Sequence, residues 1–104
     1  MQSVIFIYTT FPSKEQAVTV ARMLLEKRLI GCANLHPITS LYRWEGAVNE
    51  DAEIGMWCKT VASMAQAACD ALRALHPYQV PCIASVPVLV NEPFAAWLHT
   101  VCPD

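Results

Sequence analysis

Three histidines, five cysteines and a run of carboxylates are the residues of this 104-residue chain whose types could support chemistry. His36, His76 and His99 offer imidazole, and Cys32, Cys58, Cys69, Cys82 and Cys102 offer thiols, the donors that soft copper ions favour. No two histidines stand at i, i+4 and no Cys-x-x-Cys occurs, so a metal site would have to draw ligands from distant segments or different subunits. His76 precedes Pro77 at the end of a helical pattern, where an imidazole can simply interact with the final carbonyls. Glu45, Glu50, Asp51 and Glu53 are carboxylates of the kind that calcium or magnesium prefers. A solvated acidic turn is the simpler reading, because charges at strand tips also discourage edge aggregation. Lys59 closes an otherwise apolar run of Ile54, Met56, Trp57 and Cys58, and Tyr78 lies between Pro77 and Pro81. A fixed lysine beside tyrosines could bind a small anion in a cleft between subunits. It could equally pair with Glu45 or Glu53 across a hairpin.

Catalysis finds no comparable pattern. Gly31, Gly46 and Gly55 are the only glycines, so there is no phosphate-cradling loop, and no Ser/His/Asp elbow is present. A Cys–His pair needs only proximity in space, which the sequence does not report. The expectation is a protein that is not an enzyme.

The elements that must position these residues follow from periodicity. Val4 to Tyr8 is a β-branched and aromatic run suited to a strand buried on both faces. Ser13-Lys14-Glu15-Gln16 has capping-box form, and Ala17, Val20, Ala21, Leu24 and Leu25 follow at helical spacing, predicting a helix over 13–28. Gly31 sits where a left-handed terminator belongs. An extended stretch from Cys32 to Trp44, bent at Pro37, returns through Glu53 to Thr60 as a long hairpin with a polar tip over Gly46 to Asp51. A helix over 62–75 ends at His76-Pro77. A last strand, Val80 to Val90, carries Pro81 and Pro87, which point to an edge or to strand ends. Asn91-Glu92-Pro93 opens a final short helix through Val101. The order β-α-β-β-α-β plus a C-terminal helix specifies an α+β, ferredoxin-like single domain over 1–104, with two helices on one sheet face.

Composition says what covers the other face. Hydrophobic residues make up 55% of the chain and charged residues 15%, against roughly 25% charged in a typical domain. So much apolar surface calls for a partner subunit. No apolar run approaches membrane-helix length, and a net charge of −2 without basic clusters excludes an electrostatic nucleic-acid binder. An odd number of scattered cysteines, together with a start that lacks a basic, apolar leader, leads us to expect reduced thiols and the cytoplasm. The hairpin supports assembly. Leu35, Leu41 and Arg43 point one way and Ile38, Tyr42 and Trp44 the other, so large groups decorate both faces of a distal segment.

Several stretches together resemble the CutA divalent-cation-tolerance family. They are Tyr8-Thr9-Thr10-Phe11-Pro12, the run from Leu25 to Asn34, Ser40-Leu41-Tyr42-Arg43-Trp44-Glu45-Gly46, Lys59-Thr60, and His76-Pro77-Tyr78-Gln79-Val80-Pro81. The resemblance spans nearly the whole chain. It implies a ferredoxin-like homotrimer joined through the long hairpins, and a link to tolerance of copper or another divalent cation, with no catalytic activity. Some members credited with copper binding carry a Cys ending the first strand and a His-His pair before Pro-Tyr. Those positions here are Tyr8, Leu75 and His76, so His76 is the metal candidate. Tyr8, Lys59, Tyr78, Tyr42, Trp44 and Glu45 are the candidates for a ligand cleft or subunit interface. The alternative is a trimeric small-molecule-binding regulatory protein without a metal site. Other uses of this fold lack their marks. The loop Thr9 to Ser13 has neither the Arg of an acylphosphatase nor the Cys-x-x-Cys of a metallochaperone, and an RNA-recognition sheet would need basic neighbours around its aromatics.

Overall fold

A computed structural model describes residues 1–103 and has seven elements: β1 (Gln2–Phe11), α1 (Lys14–Glu26), β2 (Cys32–Trp44), β3 (Ala47–Thr60), α2 (Ala62–Leu75), β4 (Ala84–Val90) and α3 (Glu92–Val101). The four strands form one antiparallel sheet in the order β2-β3-β1-β4. That is the ferredoxin-like α+β arrangement expected from the element order. No helix among the described residues is long and apolar enough to cross a membrane.

Strand register divides the sheet into two faces. Ile7, Phe11, Met56 and Cys58 turn toward α1 and α2, and with Ala17, Val20, Ala21, Leu24, Ile30, Ala68 and Leu72 they form the main core. Val4, with Phe6, Val88 and Val90 packed around it, faces the opposite way, where Ala95 and Leu98 of α3 and Cys102 just beyond it provide cover. The second face is therefore covered in part by the chain's own C-terminal helix, not by a partner alone. The remainder stays open in the single chain.

β1 runs three residues past the expected Tyr8, because Thr9, Thr10 and Phe11 pair with Met56, Gly55 and Ile54. The ladder outweighs the modest hydrophobicity of two threonines. α1 stops at Glu26, and the left-handed residue behind it is Arg28 (φ 58°), not Gly31. Leu29 N–H bonds the Leu24 carbonyl at 3.1 Å and Arg28 N–H bonds that of Leu25 at 3.0 Å, the paired bonds of a Schellman terminus. Gly31 is required for a different reason. A Cβ there would lie 2.6 Å from Leu98 Cδ1 and 2.7 Å from Val101 Cγ2 of α3. Gly31→Ala is accordingly expected to destabilise the fold by about 1–3 kcal/mol through overpacking. Denaturant unfolding measures this, and Leu98→Ala in the same chain should recover part of the loss.

The β2–β3 turn is only Glu45-Gly46, with φ 49° and 79°, the two-residue form that matches strand twist. The expected polar tip over 46–51 is therefore mostly strand, and β3 begins at Ala47. β1 pairs with β3 only as far as Ile54, so Ile38 to Trp44 and Ala47 to Glu53 pair with each other alone. They form an arm that stretches the chain to 45 × 25 × 20 Å. β4 starts at Ala84, four residues later than expected, and is an edge strand that accommodates Pro87 opposite Ile5.

Candidate functional site

The open part of the sheet gathers a row of aromatic and polar groups. Register places Phe6 and Tyr8 of β1, Gly55, Trp57 and Lys59 of β3, and His36 of β2 on this one face. Their rings form a row. Phe6 and Trp57 have centroids 6.1 Å apart, Tyr8 and Trp57 4.7 Å, and Tyr8 and His36 6.4 Å. Gly55 lies buried beneath the last pair. A Cβ on it would come within 2.7 Å of the Tyr8 hydroxyl and 2.8 Å of His36 Nε2, so both polar tips converge over a floor without a side chain. Lys59 Nζ stands 5.1 Å from the Phe6 ring centroid and 5.4 Å from that of Phe94. Of the two readings open for Lys59, pairing with Glu45 or Glu53 is not the one seen among the described residues. Register sets Lys59 beside Phe6 and Cys32, with Glu53 six residues away along its own strand.

A second cluster lies where the arm leaves the body. The Tyr78 hydroxyl donates to Glu53 Oε2, and the Tyr42 hydroxyl donates to Asp51 Oδ2. Burial, reinforced by the Glu53 bond, pushes the Tyr78 phenol well above its usual range, and the Asp51 bond raises Tyr42. Both phenols stay protonated donors. Two of the four carboxylates considered for a hard cation are thus engaged by tyrosines, and Glu45 occupies the turn itself. Trp44 and Glu45 sit at the far end of the arm, away from Tyr8 and Lys59.

His76 ends α2 with extended backbone (ψ 136°), as a residue before proline must. Its ring stacks on Phe11 at 4.5 Å and 12°. Nδ1 accepts the Tyr78 backbone N–H at 3.1 Å, which leaves the proton on Nε2 to reach the Thr10 carbonyl at 2.8 Å and Thr9 Oγ1 at 3.1 Å. Its partners are therefore β1 and the segment after α2, where the sequence reading had only the last helical carbonyls. With both nitrogens engaged and no group of three His, Cys, Asp or Glu able to hold a metal among the described residues, one chain does not fit a resident divalent ion.

Burial holds the His76 pKa below the ordinary 6.5, against opposing contributions from the Thr10 carbonyl and Glu53. A depressed histidine favours the folded state above its unfolded pKa, and that stability is lost as pH falls. Unfolding midpoints are therefore expected to drop as pH goes below about 6.5, and to drop less in His76→Phe. Urea titrations at pH 7.5 and 5.0 measure the difference.

The thiols divide by burial. Cys58 and Cys102 are buried, Cys32 and Cys69 are half-buried and Cys82 is exposed. Desolvation pushes the Cys58 thiol up to about 12, which keeps it a neutral hydrophobe. Phe6, Gly55 and Trp57 are the members of the open-face group that sequence reasoning did not single out, and His36 entered it only as an imidazole donor. An isolated glycine inside a strand was the signal for a close approach.

Comparison with known proteins agrees with this architecture. A family model described as CutA1 divalent ion tolerance protein matches residues 5–101. The divalent-cation tolerance protein CutA of Pyrococcus horikoshii is 43% identical over 95 residues, covering 90% of this chain and 93% of the relative. Protein CutA of Mus musculus is 41% identical over 101 residues, but this chain spans only 57% of that relative's length. Among solved structures, CutA1 from Pyrococcus horikoshii superposes with a TM-score of 0.92 at 40% identity, covering 96% of this chain and 99% of the other. The periplasmic divalent cation tolerance protein CutA from Archaeoglobus fulgidus gives 0.91 at 35% identity, covering 97% and 99%. Matched along nearly its whole length in both sequence and fold, the chain belongs to the CutA divalent-ion tolerance family.

Proposed function

We propose that this chain works as a homotrimeric, non-catalytic divalent-cation-tolerance protein whose subunits join through the β2–β3 arm. The carrying observation is the arm. Leu41 is 67% exposed, Val48 66% and Trp44 45%, on a two-stranded ribbon that has no sheet or helix of its own to pack against. An isolated ribbon of this kind is marginal in water. Aromatic and arginine side chains such as Tyr42, Arg43 and Trp44 are the composition that subunit interfaces enrich. Trimerisation would bury the arm and bring Tyr8, Lys59 and Tyr78 to the margin of a cleft between protomers. Family membership supports the tie to copper or another divalent cation, and five free thiols support a reducing, cytoplasmic setting.

The metal part of this reading is tested by calorimetry with Cu(II). Because His76 is held on both nitrogens, binding at neutral pH is expected to be no tighter than micromolar. A nanomolar site removed by His76→Ala would reinstate that imidazole as a ligand. The second reading, a regulatory protein that binds a small molecule without metal, is favoured by Lys59, which has aromatic rings for neighbours and no carboxylate.

A further inference from the structure

On the helix side of the sheet, away from the face that a partner subunit covers, a groove lies where α1 begins beside the end of α2. It is lined by Glu15, Gln16, Thr19 and Val20 of α1 and by Leu75 and Pro77, with a volume of about 190 Å³. Val20 is buried and Leu75 half-buried, so the floor is apolar. Of the three polar side chains around it, two are acceptors only. Glu15 offers a carboxylate that has no ion pair among the described residues. The Thr19 hydroxyl spends its proton on the Glu15 carbonyl at 2.9 Å and has only lone pairs left. Gln16 is the exception, because its amide oxygen takes the Ser13 hydroxyl and leaves the amino group.

The end of α2 adds further acceptors. In a continuing helix the Arg73 and Ala74 carbonyls would take the N–H groups of Pro77 and Tyr78. Pro77 has none, and Tyr78 gives its own to His76 Nδ1 at 3.1 Å. These carbonyls therefore keep their negative partial charge at the helix end, where Leu75 and Pro77 meet Glu15 across the groove. The neighbouring cations face elsewhere. Lys14 stands two residues from Gln16, and Arg73 two residues from Leu75, each about 200° round its helix.

We propose that this groove binds a small alkylguanidinium cation, its planar fork on the Glu15 carboxylate and the α2 carbonyls, its alkyl group on Val20, Leu75 and Pro77. A guanidinium is always charged, donates through every N–H and accepts nothing, which complements these acceptors. It is also more weakly hydrated than an ammonium, so an apolar floor costs it less. The volume matches about six waters at roughly 30 Å³ each, which suits a cation the size of ethylguanidinium. The inference needs neither a metal nor a trimer, because no residue of the groove belongs to the arm or to the covered face.

The test is an NMR titration of the full chain with ethylguanidinium chloride. The amide signals of Thr19, Val20 and Leu75 are expected to shift together with a dissociation constant of about 1–10 mM, while those of Trp57 and Lys59 stay in place. Neutral N-ethylurea, of nearly the same shape, should bind at least about fivefold more weakly. Glu15→Gln should weaken binding about fivefold and Thr19→Val about threefold, with circular dichroism showing that each variant stays folded. Glu26 is an acidic residue of α1 outside the groove, and Glu26→Gln should leave the affinity unchanged. Equal losses in Glu15→Gln and Glu26→Gln would show unspecific attraction to a charged surface and overturn the proposal. So would N-ethylurea binding as tightly as the cation, or shifts that centre on Trp57. Tighter binding of a blocked arginine peptide, acetyl-Gly-Arg-Gly-amide, would overturn the free small-molecule occupant in favour of a protein's arginine.

Discussion

Phe11→Ala is expected to destabilise the protein by about 3–5 kcal/mol, a large part of the ordinary stability of a domain. Phe11 is the largest fully buried side chain, with 0% exposure. It sits where β1 outruns β4 and carries three loads. It packs in the main core under α1 and α2, it pairs with Ile54 in the sheet, and it forms the flat surface on which His76 stacks. Truncation removes the transfer free energy of a ring and leaves a cavity at the point where the segment after α2 is anchored. His76 would lose its support, and with it the bond to the Tyr78 N–H. Urea unfolding at one fixed chain concentration reads the change, since stability of an assembling protein depends on that concentration. A loss under 1 kcal/mol would mean that the site collapses around the missing ring and that Phe11 is not the keystone described.

Leu41→Asp combined with Trp44→Asp is expected to dissociate the assembly while leaving the body folded. The two residues lie on opposite faces of the arm, outside both hydrophobic clusters, so neither change touches the core. Placing two carboxylates in a buried contact costs several kcal/mol each, because each must be desolvated without a partner. Circular dichroism should keep its helical signal.

The helix pattern and the hairpin made much of this fold legible. The limits of β2 and α2 were readable to the residue, because period-2 and period-3.6 patterns there are bounded by Gly31, the Glu45-Gly46 turn and His76-Pro77. What the sequence could not reveal is tertiary. Gly31 resembled a helix terminator, yet its need for glycine comes from α3 arriving from seventy residues away. Thr9 and Thr10 resembled a loop until pairing with β3 made them strand. Lys59 had two plausible carboxylate partners in sequence and neither in space. Tyr8 and Lys59 were recognisable as separate cleft or interface candidates, whereas His36 and Gly55 could not be joined to them without the β1–β3–β2 register. His76 was visible as a special residue, but its clamp on β1 belongs to the fold and not to its neighbours in sequence.

The central claim is that the arm builds a trimer from this chain, and mass in solution tests it most directly. Light scattering on the eluting peak should give three times the 11.5 kDa monomer mass for the wild-type chain and the monomer mass for Leu41→Asp/Trp44→Asp. A wild-type chain that elutes at 11.5 kDa would contradict the account. A double variant that remains trimeric would show that the arm is not what holds the subunits together.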